Sequence, residues 1–120
     1  MKLTLLSADE ECCRVQCGGE INYEALPAGQ EPLRQVLGPD GYSRRVLLNL
    51  AQVPHIDSVG VGWLVRCHKH FQDAGGILVL FAAREAVRQV FELLNLASIL
   101  HVADQEANAL ALALSQKPLA

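Results

Sequence analysis

Two apolar runs constrain the fold of this chain more than any other feature: Val46-Leu47-Leu48-Asn49-Leu50 and Ile77-Leu78-Val79-Leu80-Phe81. Each has the length of a strand and is almost uninterrupted, the pattern of strands covered on both faces. Between them, Ser58 to Ala74 place Val61, Leu64, Val65, His68 and Phe71 at helical spacing, and Gly75-Gly76 follows as a stop. Strand, helix and strand within about 35 residues form a crossover, so the two strands are predicted to run parallel.

The flanks extend this unit. Leu3-Thr4-Leu5 and Cys13-Arg14-Val15-Gln16-Cys17 alternate apolar and polar residues, which predicts two half-exposed strands joined through Ala8-Asp9-Glu10-Glu11. Gly18-Gly19 ends the second. A weak helix is expected from Pro32, with Leu33, Val36 and Leu37 on one face, Gly38 as its stop and a turn at Gly38-Pro39-Asp40-Gly41. After the second apolar run, Glu85 to Leu94 align Val87, Val90, Phe91 and Leu94, and Asn95 suits a left-handed helix end. Ile99-Leu100-His101-Val102 reads as a short last strand and Gln105 to Leu114 as a terminal helix. No repeat, linker or low-complexity segment divides the chain, so one domain over residues 1–120 is expected.

Composition narrows the function. A net charge of −3 with Lys and Arg scattered leaves only Arg66-Cys67-His68-Lys69-His70 as a basic stretch, too short for a nucleic-acid footprint. No run reaches the roughly 18 uncharged apolar residues of a membrane span. The opening Met1–Glu10 lacks the apolar stretch and cleavage site of a signal peptide, so a cytoplasmic location is expected. Cys12, Cys13, Cys17 and Cys67 include no CxxC pair and do not match zinc spacing. They read as free thiols acting as small hydrophobes. Neither a metal nor a cofactor is expected.

The segment that points to function is Pro54-His55-Ile56-Asp57-Ser58-Val59-Gly60-Val61-Gly62. It leaves the C-terminal end of a central parallel strand, the edge at which open α/β sheets meet ligands and partners. Asp57 or Ser58 is a natural N-cap. Glycine costs about 1 kcal/mol against alanine inside a helix, so Gly60 and Gly62 require a reason: close packing on a neighbouring strand, or close approach of a partner. The spacing is neither GxGxxG nor GK[ST], which argues against a nucleotide cradle.

Taken in order, Asn49-Leu50, Ile56-Asp57-Ser58-Val59-Gly60-Val61-Gly62, Asp73-Ala74-Gly75-Gly76, Ala86-Val87-Arg88-Gln89-Val90-Phe91 and Leu94-Asn95-Leu96 resemble the STAS domain of bacterial anti-sigma factor antagonists. Gly19-Glu20-Ile21-Asn22 is similar to that family's Gly-Glu-hydrophobic-Asp element. The resemblance implies a STAS α/β fold, a mixed sheet of four to five strands with helices mainly on one face. It also implies a binding module rather than an enzyme. Its partners would be an anti-sigma factor with serine kinase activity, which phosphorylates Ser58, and a phosphatase that reverses the step. The unphosphorylated form would hold the kinase and free a sigma factor for transcription. Asp57, Ser58, Val59, Gly60 and Val61 would form the docking surface, with Trp63 and Asn22 beside them. Val59 stands where many members carry a second Ser or Thr, Asn22 where they carry Asp, and Arg84-Glu85 where Ser-Pro is common.

Two other functions compete. STAS domains also occur as constitutive subunits that bind the ATPase of an ABC lipid-transport system without any phosphate switch. A small thiol or phosphatase-like enzyme would use Cys67 or Cys17 as nucleophile, with His68 and His70 near Cys67. Neighbours in sequence point apart on a helix, however, and no third orienting group is evident. Trp63 falls off the apolar stripe of its helix and would anchor an interface if exposed. His68 lies on that stripe and is expected in the core. The Leu3–Ser7 edge could support a weak homodimer.

Overall fold

In a computed structural model, which describes residues 1–26 and 31–115, the chain forms one five-stranded sheet with strands in sequence order. The strands are β1 (Lys2–Ala8), β2 (Cys13–Gly18), β3 (Arg45–Gln52), β4 (Ile77–Phe81) and β5 (His101–Ala103). β1 is antiparallel to β2, and β2 through β5 are mutually parallel. The helices are α1 (Pro32–Leu37), α2 (Ser58–Ala74), α3 (Glu85–Leu93) and α4 (Glu106–Ser115).

This order explains why the helices favour one face. Each parallel crossover must be right-handed, and the crossovers through α1, α2 and α3 all step the same way across the sheet. All three helices therefore fall on the same side. Cys13, Val15, Cys17, Val46, Leu48, Leu50, Leu78 and Leu80 point there and meet Leu33, Leu64, Phe71, Val87 and Phe91. The alternate residues Leu47, Ile77, Val79 and Phe81 face the other way and pack on Ala109 and Ala113 of α4. β3 and β4 are thus buried on both faces, as their unbroken apolar runs predict. Cys12 and Cys13 split between the two clusters, as side-chain alternation requires.

Local chemistry sets the boundaries. The Asp9 carboxylate accepts from the N–H groups of Glu11 and Cys12, both at 2.9 Å, and so closes the turn between β1 and β2. Gly75, at φ 85°, ends α2 in the left-handed region. Asn95, at φ 52°, follows α3 in the same way. The last strand is shorter than the sequence implies and begins at His101 rather than Ile99. Residues Leu96–Ser98 form a 3-10 turn, and the Leu100 N–H donates to the Leu96 carbonyl at 2.7 Å, so that backbone is not free to join the sheet. No helix among the described residues is long and apolar enough to cross a membrane. β1 is an edge strand with Leu5 and Leu6 exposed.

Candidate functional site

The loop after β3 is held by the segment after β2 before α2 begins. Ile21 and Ile56 form a parallel bridge beyond the ends of their strands. The Ile21 N–H donates to the His55 carbonyl at 3.1 Å, and the Asp57 N–H donates to the Ile21 carbonyl at 3.2 Å. Residues 19–25 and 54–60 therefore form one surface at the C-terminal edge of the parallel strands.

Asp57 is the N-cap of α2. Its Oδ1 accepts from the Gly60 N–H at 2.8 Å, and its Oδ2 accepts from the Tyr23 N–H at 3.0 Å. One carboxylate thus caps the helix and pins the neighbouring loop. The Gly60 and Tyr23 donors stabilise the charged form and hold the carboxyl below the usual carboxylate range. Asn22 orders the same loop. Its Oδ1 accepts from the Ala25 N–H at 3.0 Å, and its Nδ2 donates to Glu20 at 2.9 Å. An Asp could make the first bond but not donate the second, so Glu20 is the local partner of this departure from the family pattern.

Ser58 occupies the first helical position and is exposed, with its hydroxyl at the positive end of a 17-residue helix. Val59 beside it is 40% exposed. Gly60 has the packing explanation. A Cβ there would overlap the Ile21 carbonyl and sit 2.8 Å from Ile56 Cγ1 and 2.9 Å from Ile21 Cγ2. Only glycine lets α2 start this close to the bridge. Gly62 differs: nothing but the Arg66 guanidinium, at 3.5 Å, would meet its Cβ.

The structure brings Asn22, Asp57, Ser58 and Val59 together on the surface and withdraws the others. Gly60 and Val61 are buried, and Trp63 is only 3% exposed, within the core on the α2 side. Trp63 therefore does not serve as an exposed anchor. At 3.6 residues per turn, the buried set Gly60, Val61, Trp63, Leu64, Cys67, His68 and Phe71 spans an arc of roughly 160°, with Trp63 on one rim and Val61 on the other. A single stripe drawn through the sequence was too narrow for a helix this deeply packed. Sequence reasoning also missed Tyr23, which is 71% exposed beside Asp57. Its signal was an aromatic set among Glu20, Asn22 and Glu24, in a segment without strand or helix periodicity.

Burial works against Cys67 and Cys17 as nucleophiles. All four are buried, and burial pushes Cys67 up to about 12 and Cys17 up to about 11, away from the thiolate that attack requires. His68 lies in the core with its ring 5.2 Å from that of His101. His70 stacks on Tyr42 and pairs with Glu31 at 3.4 Å. No group of three or more His, Cys, Asp or Glu among the described residues could hold a metal.

Comparison with known proteins places this arrangement. The STAS domain family profile matches residues 6–109. The anti-sigma-B factor antagonist of Staphylococcus aureus is 30% identical over 91 residues, which are 73% of this chain and 80% of that one. A candidate anti-sigma factor antagonist of Thermotoga maritima superposes with a TM-score of 0.77 at 24% identity, covering 89% of this chain and 91% of that one. The Bacillus cell fate determinant SpoIIAA in its phosphorylated form gives 0.56 at 18% identity, over 88% of this chain and 95% of that one. The profile covers most of the sequence and the fold agrees throughout: the chain belongs to the STAS domain family.

Proposed function

We propose that this chain is an anti-sigma factor antagonist. In this reading it works in the cytoplasm as a protein-binding module and kinase substrate, with Ser58 as the switch. The observation that carries the reading is the exposed Ser58 hydroxyl at the first position of α2, on a turn already locked by Asp57. The S. aureus relative bears that functional name, and SpoIIAA, a protein of the same fold, has been solved in both unphosphorylated and phosphorylated forms.

The partner is an anti-sigma factor with serine kinase activity. Ser58 Oγ attacks the γ-phosphorus of a nucleoside triphosphate held by that kinase. The new O–P bond forms as the bond to the bridging oxygen breaks, the nucleoside diphosphate leaves, and the hydroxyl proton passes to a base of the kinase. A phosphatase returns the serine by hydrolysis. The phosphate adds about −1.5 to −2 charges at pH 7. The α2 N-terminus solvates part of this, so the domain itself need not refold. A partner packed over Ser58, Val59 and Asp57 instead meets a desolvated dianion beside a carboxylate. Like-charge contacts of this kind cost several kcal/mol, enough for release. The docking surface is read as Asn22, Tyr23, Asp57, Ser58 and Val59, while Gly60 and Val61 shape it from beneath. Leu5 and Leu6 on the β1 edge also favour weak self-pairing.

The test combines phosphopeptide mass spectrometry of the protein from its own cells with affinity capture by wild type, Ser58→Ala and Ser58→Asp. The expected result is phosphate on Ser58 and a kinase-type anti-sigma factor held by wild type and Ser58→Ala but lost by Ser58→Asp. Equal capture of an ABC-type ATPase by all three would favour the constitutive-subunit reading instead.

A further inference from the structure

Packing explains Gly60 but leaves Gly62 without a reason, although a glycine inside α2 carries the same helix penalty. Gly62 is on the solvent side of the helix, where a side chain would find room. What fills the space is Arg66. Helical side chains lean toward the N-terminus, and the Arg66 Nη1 lies 3.5 Å from where a Gly62 Cβ would be. Ser58, Gly62 and Arg66 follow one another at intervals of four, within roughly 80° of the helix surface. The guanidinium at the level of Gly62 is thus about one turn, roughly 6 Å along the axis, from Ser58. Arg66 is exposed, and no carboxylate among the described residues lies within ion-pairing distance of it.

We propose that Arg66 is a positioning residue for Ser58 in its phosphorylated state, serving as the intramolecular counter-cation that draws the phosphate along the bare backbone at Gly62. This inference rests on the reading of Ser58 as the phosphoacceptor and adds a second element to the switch. In the unmodified protein Arg66 is an exposed cation beside the docking surface, free to meet an acidic group of the partner. Phosphate on Ser58 captures it, so the modified form presents a new anion and withdraws a cation in the same step. A guanidinium matches phosphate oxygens with paired N–H donors, which a single ammonium cannot do. The Asp57 carboxylate next to Ser58 opposes a phosphate dianion, and it, His55 and the carboxylates Glu20 and Glu24 of the loop held against Asp57 are the same in every variant below.

The test places phosphoserine at position 58 during translation, so no kinase is needed, and follows its second ionisation by phosphorus NMR in wild type, Arg66→Ala and Arg66→Lys. A free phosphoserine has its second pKa near 6. With Arg66 engaged, the wild-type value is expected below that of Arg66→Ala by roughly 0.5 to 1 unit, with Arg66→Lys between them. Circular dichroism should show the same fold in all three, since Arg66 is exposed. Wild type and Arg66→Ala titrating together would overturn the proposal. Absence of phosphate from Ser58 in cells would remove the switch reading while leaving this measurement intact, so the two failures are distinguishable.

Discussion

Substituting alanine at Gly60 and, separately, at Gly62 should have opposite effects, although the two residues share a helix and lie two positions apart. On propensity alone, both changes stabilise α2 by about 1 kcal/mol. At Gly62 that gain stands nearly alone, because the new methyl would meet only the flexible end of Arg66 at 3.5 Å. Gly62→Ala is therefore expected to stabilise the protein by about 0.5–1 kcal/mol. At Gly60 the methyl would overlap the Ile21 carbonyl, which is fixed because it accepts the Asp57 N–H at 3.2 Å and belongs to the bridge to Ile56. Overpacking costs about 1–3 kcal/mol, and a backbone neighbour that cannot change rotamer places this site at the upper end. After the propensity gain, Gly60→Ala should lose about 2 kcal/mol. Urea unfolding followed by the emission of Trp63, the sole tryptophan and a buried one, reads both. With a slope of about 1.5 kcal/mol/M, the midpoint should fall by about 1.3 M for Gly60→Ala and rise by about 0.5 M for Gly62→Ala. Gly60→Ala at or above wild-type stability would refute the argument that close approach to the Ile21 carbonyl demands glycine.

Two further outcomes follow from buried and half-buried titratable groups. Desolvation lowers His68, with the neighbouring His101 adding to the effect, and desolvation also lowers His101. The unfolded chain then binds more protons than the folded one as pH falls below about 6.5, so stability present above that pH is lost toward acid. His68→Leu should flatten the pH dependence of the urea midpoint between about pH 7 and 5, and an unchanged slope would show that the pair does not titrate in this way. Cys17 at about 11 and Cys67 at about 12 should not react with a thiol reagent at pH 8 in the folded state and should react once urea unfolds the chain. Rapid labelling of Cys67 in the native protein would reopen the thiol-enzyme reading.

Local pattern carried much of this protein. The bounds of α2 and β4 and the parallel pairing of β3 with β4 follow from apolar periodicity and glycine stops, which act over a few residues. The sequence narrowed the N-cap to Asp57 or Ser58, since a cap and the N–H it accepts lie within one turn, and the structure assigned it to Asp57. Only tertiary structure showed that Asp57 has a second partner, because the Tyr23 N–H is 34 residues away in sequence and arrives through the Ile21–Ile56 bridge. Tertiary structure likewise decided which of the two glycines is required by packing and whether Trp63 faces water. Both depend on what lies across from the helix, which spacing along one chain does not encode. The α2 sequence specified a helix with an apolar arc; the sheet and its neighbours set how wide that arc had to be and left Ser58 outside it.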